Sequence, residues 1–216
     1  MNLNKLTAVV AVALSTTAFA TPIDLIENGS FEIPRIDYWA TYPDIPGWRA
    51  SEGGLEIQPN GTVKGVTAYD GRQYAELDTY INSAMWQNVA TLADHLYTLT
   101  FAYMPRPDNP YANSNNISAY WNGVKIDSES GTQQDSWTTV TVSNLASRSG
   151  GGSQLLFMAT GRSDSYGGFI DGVKLYDSTP SVSTVSEPSS YAMMIIGLFA
   201  FATVRKYSLA PAKEKK

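Results

Sequence analysis

The chain has 216 residues, 43% of them hydrophobic and 16% charged, with a formal net charge of −5 and no cysteine. Without cysteine, disulfide scaffolds, thiolate metal sites and cysteine nucleophiles are excluded, and stability must come from core packing assisted at most by an oxygen-ligated ion. Over residues 21–186, nine Lys and Arg stand against eighteen Asp and Glu, a net of −9 that repels phosphate backbones and excludes nucleic acid as a partner.

In chain order, residues 1–20 come first. Lys5 lies near the amino terminus, residues 6–14 are apolar, and Ala18-Phe19-Ala20 has the small-x-small form of a cleavage site. That order predicts a secretory signal peptide cut after Ala20, with Ala18 and Ala20 as the recognised small residues. Residues 21–177 then show a period of two rather than 3.6. In "LYTLTFAY", Tyr97, Leu99, Phe101 and Tyr103 point one way while Thr98, Thr100 and Ala102 point the other, and "WTTVTV" alternates in the same manner. Similar short runs occur at 54–58, 73–78, 83–89, 116–126, 153–160 and 167–177, separated by turn clusters such as "PNGT", "YDGR", "PRPDNPYANSN", "WNG" and "RSGGGS". Many short strands at this spacing, with no amphipathic helix, predict an all-β antiparallel β-sandwich of the jelly-roll kind.

Residues 178–190 are rich in Ser, Thr and Pro and read as a linker. Residues 191–204 form an uninterrupted apolar run of 14 that stops at Arg205 and Lys206 and gives way to a basic tail over 205–216. As a helix the run spans roughly 21 Å, whereas a bilayer core of about 30 Å usually takes ~20 residues. The run is therefore either a short membrane anchor or a temporary stop, with the basic end cytoplasmic and the sandwich outside.

Chemistry-bearing residues are few. The lone His95 sits in a turn leading into a strand, no G-x-S-x-G context exists for a serine nucleophile, and one histidine cannot build a hydrolytic zinc centre. Glu56, Glu76 and Asp78 fall in strands where two acids could flank a glycosidic bond, but Glu76 and Asp78 share a face with Tyr74 and read as an ordinary polar face. The chain is thus read as non-catalytic. Asp171 is different: in "FIDGVKL" it falls on the side of Phe169, Val173 and Leu175, where a carboxylate is costly unless neutralised. A jelly roll brings its first and last strands together, so Asp171 and Glu32 of "NGSFE" could share a hard cation, calcium, completed by backbone carbonyls. The other reading of the spacing is that Asp171 caps a bulge at Gly172 and Glu32 is solvated.

The succession "NGSFE", "IPGW", "GLEIQ", "YDGRQYAELD", "WQNVATLADHLYTLTFAYMPRP", "WNGVKI" and "GRSDSYGGFIDGVKLY" resembles DUF642-type, galactose-binding-like β-sandwiches, close in fold to carbohydrate-binding modules. The resemblance covers residues 25–177 and implies a structural calcium held by Glu32 and Asp171. "SEPSSYAMMIIGLFAFATVRK" is similar to the PEP-CTERM sorting sequence, with Ser186, Glu187 and Pro188 standing for its tripeptide and the first proline of the usual pattern missing. That likeness implies processing by an exosortase-type enzyme, transient tethering to the inner membrane, and display in the extracellular matrix of a Gram-negative bacterium.

Sugar sites combine aromatic rings with Asn, Asp, Gln and Arg on loops of a rigid scaffold. The loop "IDYWATYPDIPGW" supplies Trp39 and Tyr42, and "PRPDNPYANSNN" supplies Arg106, Asp108, Asn109, Tyr111 and Asn113. Trp39, Tyr42, Arg106 and Tyr111 are the expected ligand-binding residues, and extracellular polysaccharide the expected partner. Trp48, Trp86, Trp121 and Trp137 are expected in packing roles. The alternative is a structural or adhesive matrix protein that makes protein contacts through the same sandwich without a sugar site.

Overall fold

The computed structural model describes residues 22–180 and, by itself, Met194. The expected leader with Ala18 and Ala20, the motif Ser186-Glu187-Pro188 and, Met194 apart, the apolar run and basic tail lie outside the described residues. Among the described residues no helix is long and apolar enough to cross a membrane.

Among the described residues twelve strands form two antiparallel six-stranded sheets. The first sheet has the order β1 (Ala40–Tyr42), β4 (Leu55–Pro59), β5 (Gln73–Glu76), β12 (Phe169–Asp177), β7 (Leu96–Met104), β10 (Thr138–Ala146). The second has the order β2 (Asp44–Ile45), β3 (Trp48–Ala50), β6 (Ala84–Val89), β11 (Ser153–Ala159), β8 (Ile117–Trp121), β9 (Val124–Glu129). Consecutive strands often lie in different sheets, the jelly-roll-like sandwich that the period-two pattern predicted. Every run singled out from periodicity forms strand, but 116–126 is two strands, β8 and β9, with "WNG" as the hairpin turn between them, where Asn122 and Gly123 both take positive φ. The segment 36–48, read from sequence as a loop, instead carries β1 and β2 and opens into β3. Its strands are two or three residues long, too short to show a period.

The two inner faces meet in one core. Trp48 packs on Phe31 and Phe157, with ring centroids 5.7 and 6.2 Å apart, and Phe101 meets Phe157 edge-on at 5.0 Å. Each such ring, fully buried, contributes about 1.5–3 kcal/mol. Trp121 is buried in the same core, as expected, and Trp137 packs on a second, smaller cluster. That cluster, formed by Val63, Val66, Tyr74, Met104 and Phe169, lies on the opposite side of the first sheet, because these strand residues alternate with Ala75, Leu77 and Ile170 of the main core. The outer face of the first sheet is therefore covered by connecting segments.

The first and last parts of the domain do meet. Asp24 bridges Tyr176, Leu25 N–H donates to Leu175 O, and Val173 N–H donates to Gly29 O at 2.9 Å. At Gly29 the backbones are so close that a Cβ would sit 1.9 Å from Val173 O. Gly29→Ala should consequently lower stability by roughly 1–3 kcal/mol, the usual cost of overpacking, and thermal unfolding of the variant beside the parent checks this.

Candidate functional site

Strand parity builds the site. In β4, Leu55 and Ile57 face the core, so Glu56 and Gln58 face the covered outer side of the first sheet. In β5, Ala75 faces the core, so Tyr74 and Glu76 join them; Glu56 and Glu76 are direct cross-strand partners. The two acids would repel one another there without donors. Gln58 Nε2 supplies both, at 2.6 Å to Glu56 Oε1 and 2.5 Å to Glu76 Oε2. Arg106, from the segment after β7, adds Nη1 to Glu76 Oε2 at 2.8 Å, and Gly167 N–H donates to Glu76 Oε1 at 2.6 Å. Glu76 is 1% exposed and Asp78 is fully buried, so the expectation of an ordinary polar face is wrong. Connecting segments cover it, and connections without a period leave no trace in strand alternation.

Burial pushes the Glu76 carboxyl well up, with Arg106 pulling against it, and burial raises Glu56 as well. Asp78 receives the N–H groups of Asp164 and Ser165 at 2.9 and 3.1 Å. It thereby fastens the segment that carries Tyr166. Asn109 Nδ2 donates to Tyr166 O at 2.9 Å, tying the 105–115 segment to the same place.

Above this base opens a cavity of about 390 Å³ lined by Trp39, Glu56, Gln58, Thr79, Tyr80 and Arg106, with Thr62, Ser165 and Tyr166 completing the wall. Trp39 is 54% exposed and Tyr80 74%, so aromatic faces are presented to solvent beside a polar floor. A second cavity of about 370 Å³, lined by Asp108, Asn109, Pro110, Tyr111, Asp164 and Tyr166, shares Tyr166 with the first. The structure thus brings Trp39 and Arg106 to one cavity and Tyr111 to its neighbour. Tyr42 lines neither; it is half-buried against the main core, because β1 turns it inward beside Leu55. Sequence reasoning missed Tyr80, Tyr166 and Gln58. The two tyrosines sit in turn-rich stretches, "DTYIN" and "SDSYGG", the same signal that singled out Trp39. Gln58 carried none. His95 pairs with Asp177 at 2.6 Å near the surface, consistent with its expected turn role.

Glu32 and Asp171 close on one turn. Glu32 Oε1 accepts the N–H groups of Arg72 and Gln73 at 2.7 and 2.8 Å, while Asp171 Oδ2 accepts those of Tyr69 and Asp70 at 2.8 and 2.9 Å. Asp171 Oδ1 takes Gly172 N–H at 2.6 Å across the β-bulge between Asp171 and Lys174. The extra residue of that bulge reverses parity, so Asp171 shares a face with Phe169 but not, as the sequence suggested, with Val173 and Leu175. Burial pushes the Asp171 carboxyl up to about 7 against the pull of its three amide donors. Among the described residues no cluster of three or more His, Cys, Asp or Glu stands ready to hold a metal. Any ion here would rest on the two carboxylates and backbone oxygens, with Glu32 Oε2 and one lone pair of Asp171 Oδ1 still available.

No protein-family profile matches the chain. It is 30% identical over 152 residues, 69% of this chain, to a multifunctional-autoprocessing repeats-in-toxin protein of Vibrio cholerae serotype O1, and 29% identical over 189 residues to its counterpart in Vibrio vulnificus. The chain spans about 3% of the length of these relatives. Among solved structures, a Stig cyclase from Fischerella sp. TAU superposes with a TM-score of 0.55 at 17% identity, covering 74% of this chain and 99% of that one. The carbohydrate-binding module TmCBM61, in complex with β-1,4-galactotriose, superposes with a TM-score of 0.50 at 16% identity, covering 72% and 99%. The fold is therefore one shared by sugar-binding modules and by cyclases.

Arg106→Ala removes the counter-charge of a buried carboxylate and should cost about 3–5 kcal/mol. Because burial raises the folded-state pKa of Glu76, the variant's deficit should shrink as the pH is lowered from neutral towards the ordinary carboxylate range, as protonation removes the stranded charge. Melts of both proteins across that range measure the convergence.

Proposed function

We propose that the sandwich is a non-catalytic carbohydrate-binding module that holds a polysaccharide in the cleft formed by the two cavities on the outer face of the first sheet. One observation carries the reading: exposed Trp39 and Tyr80 stand at the rim of a cavity whose floor is a fixed set of hydrogen-bonding groups, Glu56, Gln58 and Arg106. Sugar rings offer apolar C–H faces to aromatic rings and hydroxyls to such groups. Tyr111 and Tyr166 extend the aromatic wall into the second cavity, giving room for more than one sugar unit.

Geometry argues against glycosidic cleavage by the paired acids. One Gln58 nitrogen bonds both carboxylates, so they lie side by side in the floor rather than on opposite sides of a bond, and Glu76 is sealed behind Arg106. A glycosidase needs its two acids about 5–10 Å apart with a sugar between them. We further propose that export by the leader and sorting through residues 186–206 deliver the module to the polysaccharide matrix, and that a calcium ion at Glu32 and Asp171 stabilises it. A divalent cation would relieve the burial cost that Asp171 otherwise bears.

Trp39→Ala and Tyr80→Ala should each weaken glycan binding by about 1 kcal/mol or more, the usual cost of truncating an aromatic anchor of a binding site, with unchanged melting. Affinity electrophoresis against a panel of neutral and charged polysaccharides reads this; retention of no glycan would favour the structural, protein-binding alternative. For the ion, the sign is set by the raised Asp171 pKa: without calcium the folded state holds a proton that the unfolded state loses, so stability falls as pH rises from about 4 to about 7. Calcium should raise the melting point most at the upper end of that window, relative to EDTA. Asp171→Asn should flatten the slope and abolish the calcium response; no response in the parent sinks the ion.

A further inference from the structure

The floor of the first cavity holds an excess of acceptors. Glu56 uses only Oε1, on Gln58 Nε2, and its Oε2 has no hydrogen-bond partner among the described residues. Gln58 is 1% exposed; both bonds it makes are donated from its nitrogen, and its buried Oε1 has no donor among the described residues. An unpaired buried carbonyl costs about 1–3 kcal/mol until something donates to it. The charges acting on Glu56 are Glu76 on β5 and, from the segment after β7, Arg106, whose other partner is Asp108; β1 contributes uncharged Thr41, Tyr74 lies beside Glu76, and Tyr80 and Tyr166 are the titratable groups of the same cavity wall. Three carboxylates therefore surround one guanidinium, which is already committed to two of them. Around this floor stand Trp39 and Tyr80, whose exposed faces attract cations, while Tyr166 already has Arg106 over its ring at 4.8 Å.

Resting on the carbohydrate reading above, we infer that the sugar bound in the first cavity carries a free primary amine: a glucosamine-type unit whose ammonium sits between the Glu56 carboxylate and the faces of Trp39 and Tyr80. An ammonium has three donors and no lone pair, so it matches an acceptor-rich, negative, aromatic-rimmed site. Acetylation would replace the charge by an amide and forfeit both the ion pair and the cation–π contacts. A uronic acid would set a carboxylate against Glu56. The net charge of −9 over residues 21–186 draws the same kind of ligand towards the surface.

The test is isothermal titration of the full chain with glucosamine oligomers, their fully N-acetylated counterparts, galacto-oligosaccharides and oligogalacturonate. We expect the amine form to bind at least tenfold tighter than its acetylated counterpart and oligogalacturonate to bind weakest. In the parent protein, amine binding should weaken in acid as Glu56 takes up its proton, and in alkali as the amine loses its own. Glu56→Gln, close to isosteric, should bring amine and acetylated oligomers to the same affinity and remove the acid limb. The pH profile of the unaltered protein stands as a second readout should that variant fail to fold. Equal affinity of the parent for amine and acetylated forms, or preference for a neutral or acidic oligomer, overturns the amine inference and leaves carbohydrate binding intact. Binding of none of the four overturns the carbohydrate reading and this inference with it.

Discussion

A single buried carboxylate, Glu76, organises the face of the molecule on which the candidate site lies. Four separate pieces of chain reach it: β4 through Gln58, β5 through its own backbone, the segment after β7 through Arg106, and the approach to β12 through Gly167 N–H. An ionised carboxylate in that position is unfavourable unless each piece is in place, so its desolvation makes the arrangement all-or-none. The rigidity of the cavity floor follows. Arg106 cannot swing out without stranding Glu76, and Gln58 cannot flip its amide without taking its nitrogen from two acids at once.

A second set of carboxylates performs a similar task at the turn 69–73. Glu32 and Asp171 come from opposite ends of the domain and each gathers two successive backbone N–H groups of that turn. The turn leads directly into β5 and hence to Glu76, so the N-terminal segment, the last strand and the cavity floor are mechanically joined. Backbone amides act here as the cationic partner that the acidic composition of the domain does not otherwise supply in quantity.

Much of the scaffold was legible because burial on one face of a strand writes itself as alternation. The nine longer strands announced themselves in this way, and the meeting of the first and last segments followed from the class of fold. Three things were not legible. Strands β1, β2 and β3 are too short for a period, and two of them hide in a loop-like run of Pro, Asp and Gly. The bulge after Asp171 changes parity by one residue, which single-sequence reading cannot see, so alternation marks Asp171 as buried but places it on the wrong face. Cover of the outer face by connecting segments turned Glu76 and Asp78 from solvated residues into structural ones. Trp39 and Arg106 were found because aromatic and planar cationic groups on loops are rare enough to stand out. Tyr80 and Tyr166 sit one to a turn and did not.

The bridge between Asp24 and Tyr176, with the Leu25 bond to Leu175, means that the chain enters and leaves the sandwich side by side. A domain whose two ends are neighbours is a cassette: it can be spliced into an existing connection of another protein without forcing the flanking parts apart. Architecture of this kind suits a unit that matches only a small fraction of proteins many times its length. The adjacency of its ends would let the sandwich be inserted at a single point of another chain, independently of what its cleft holds.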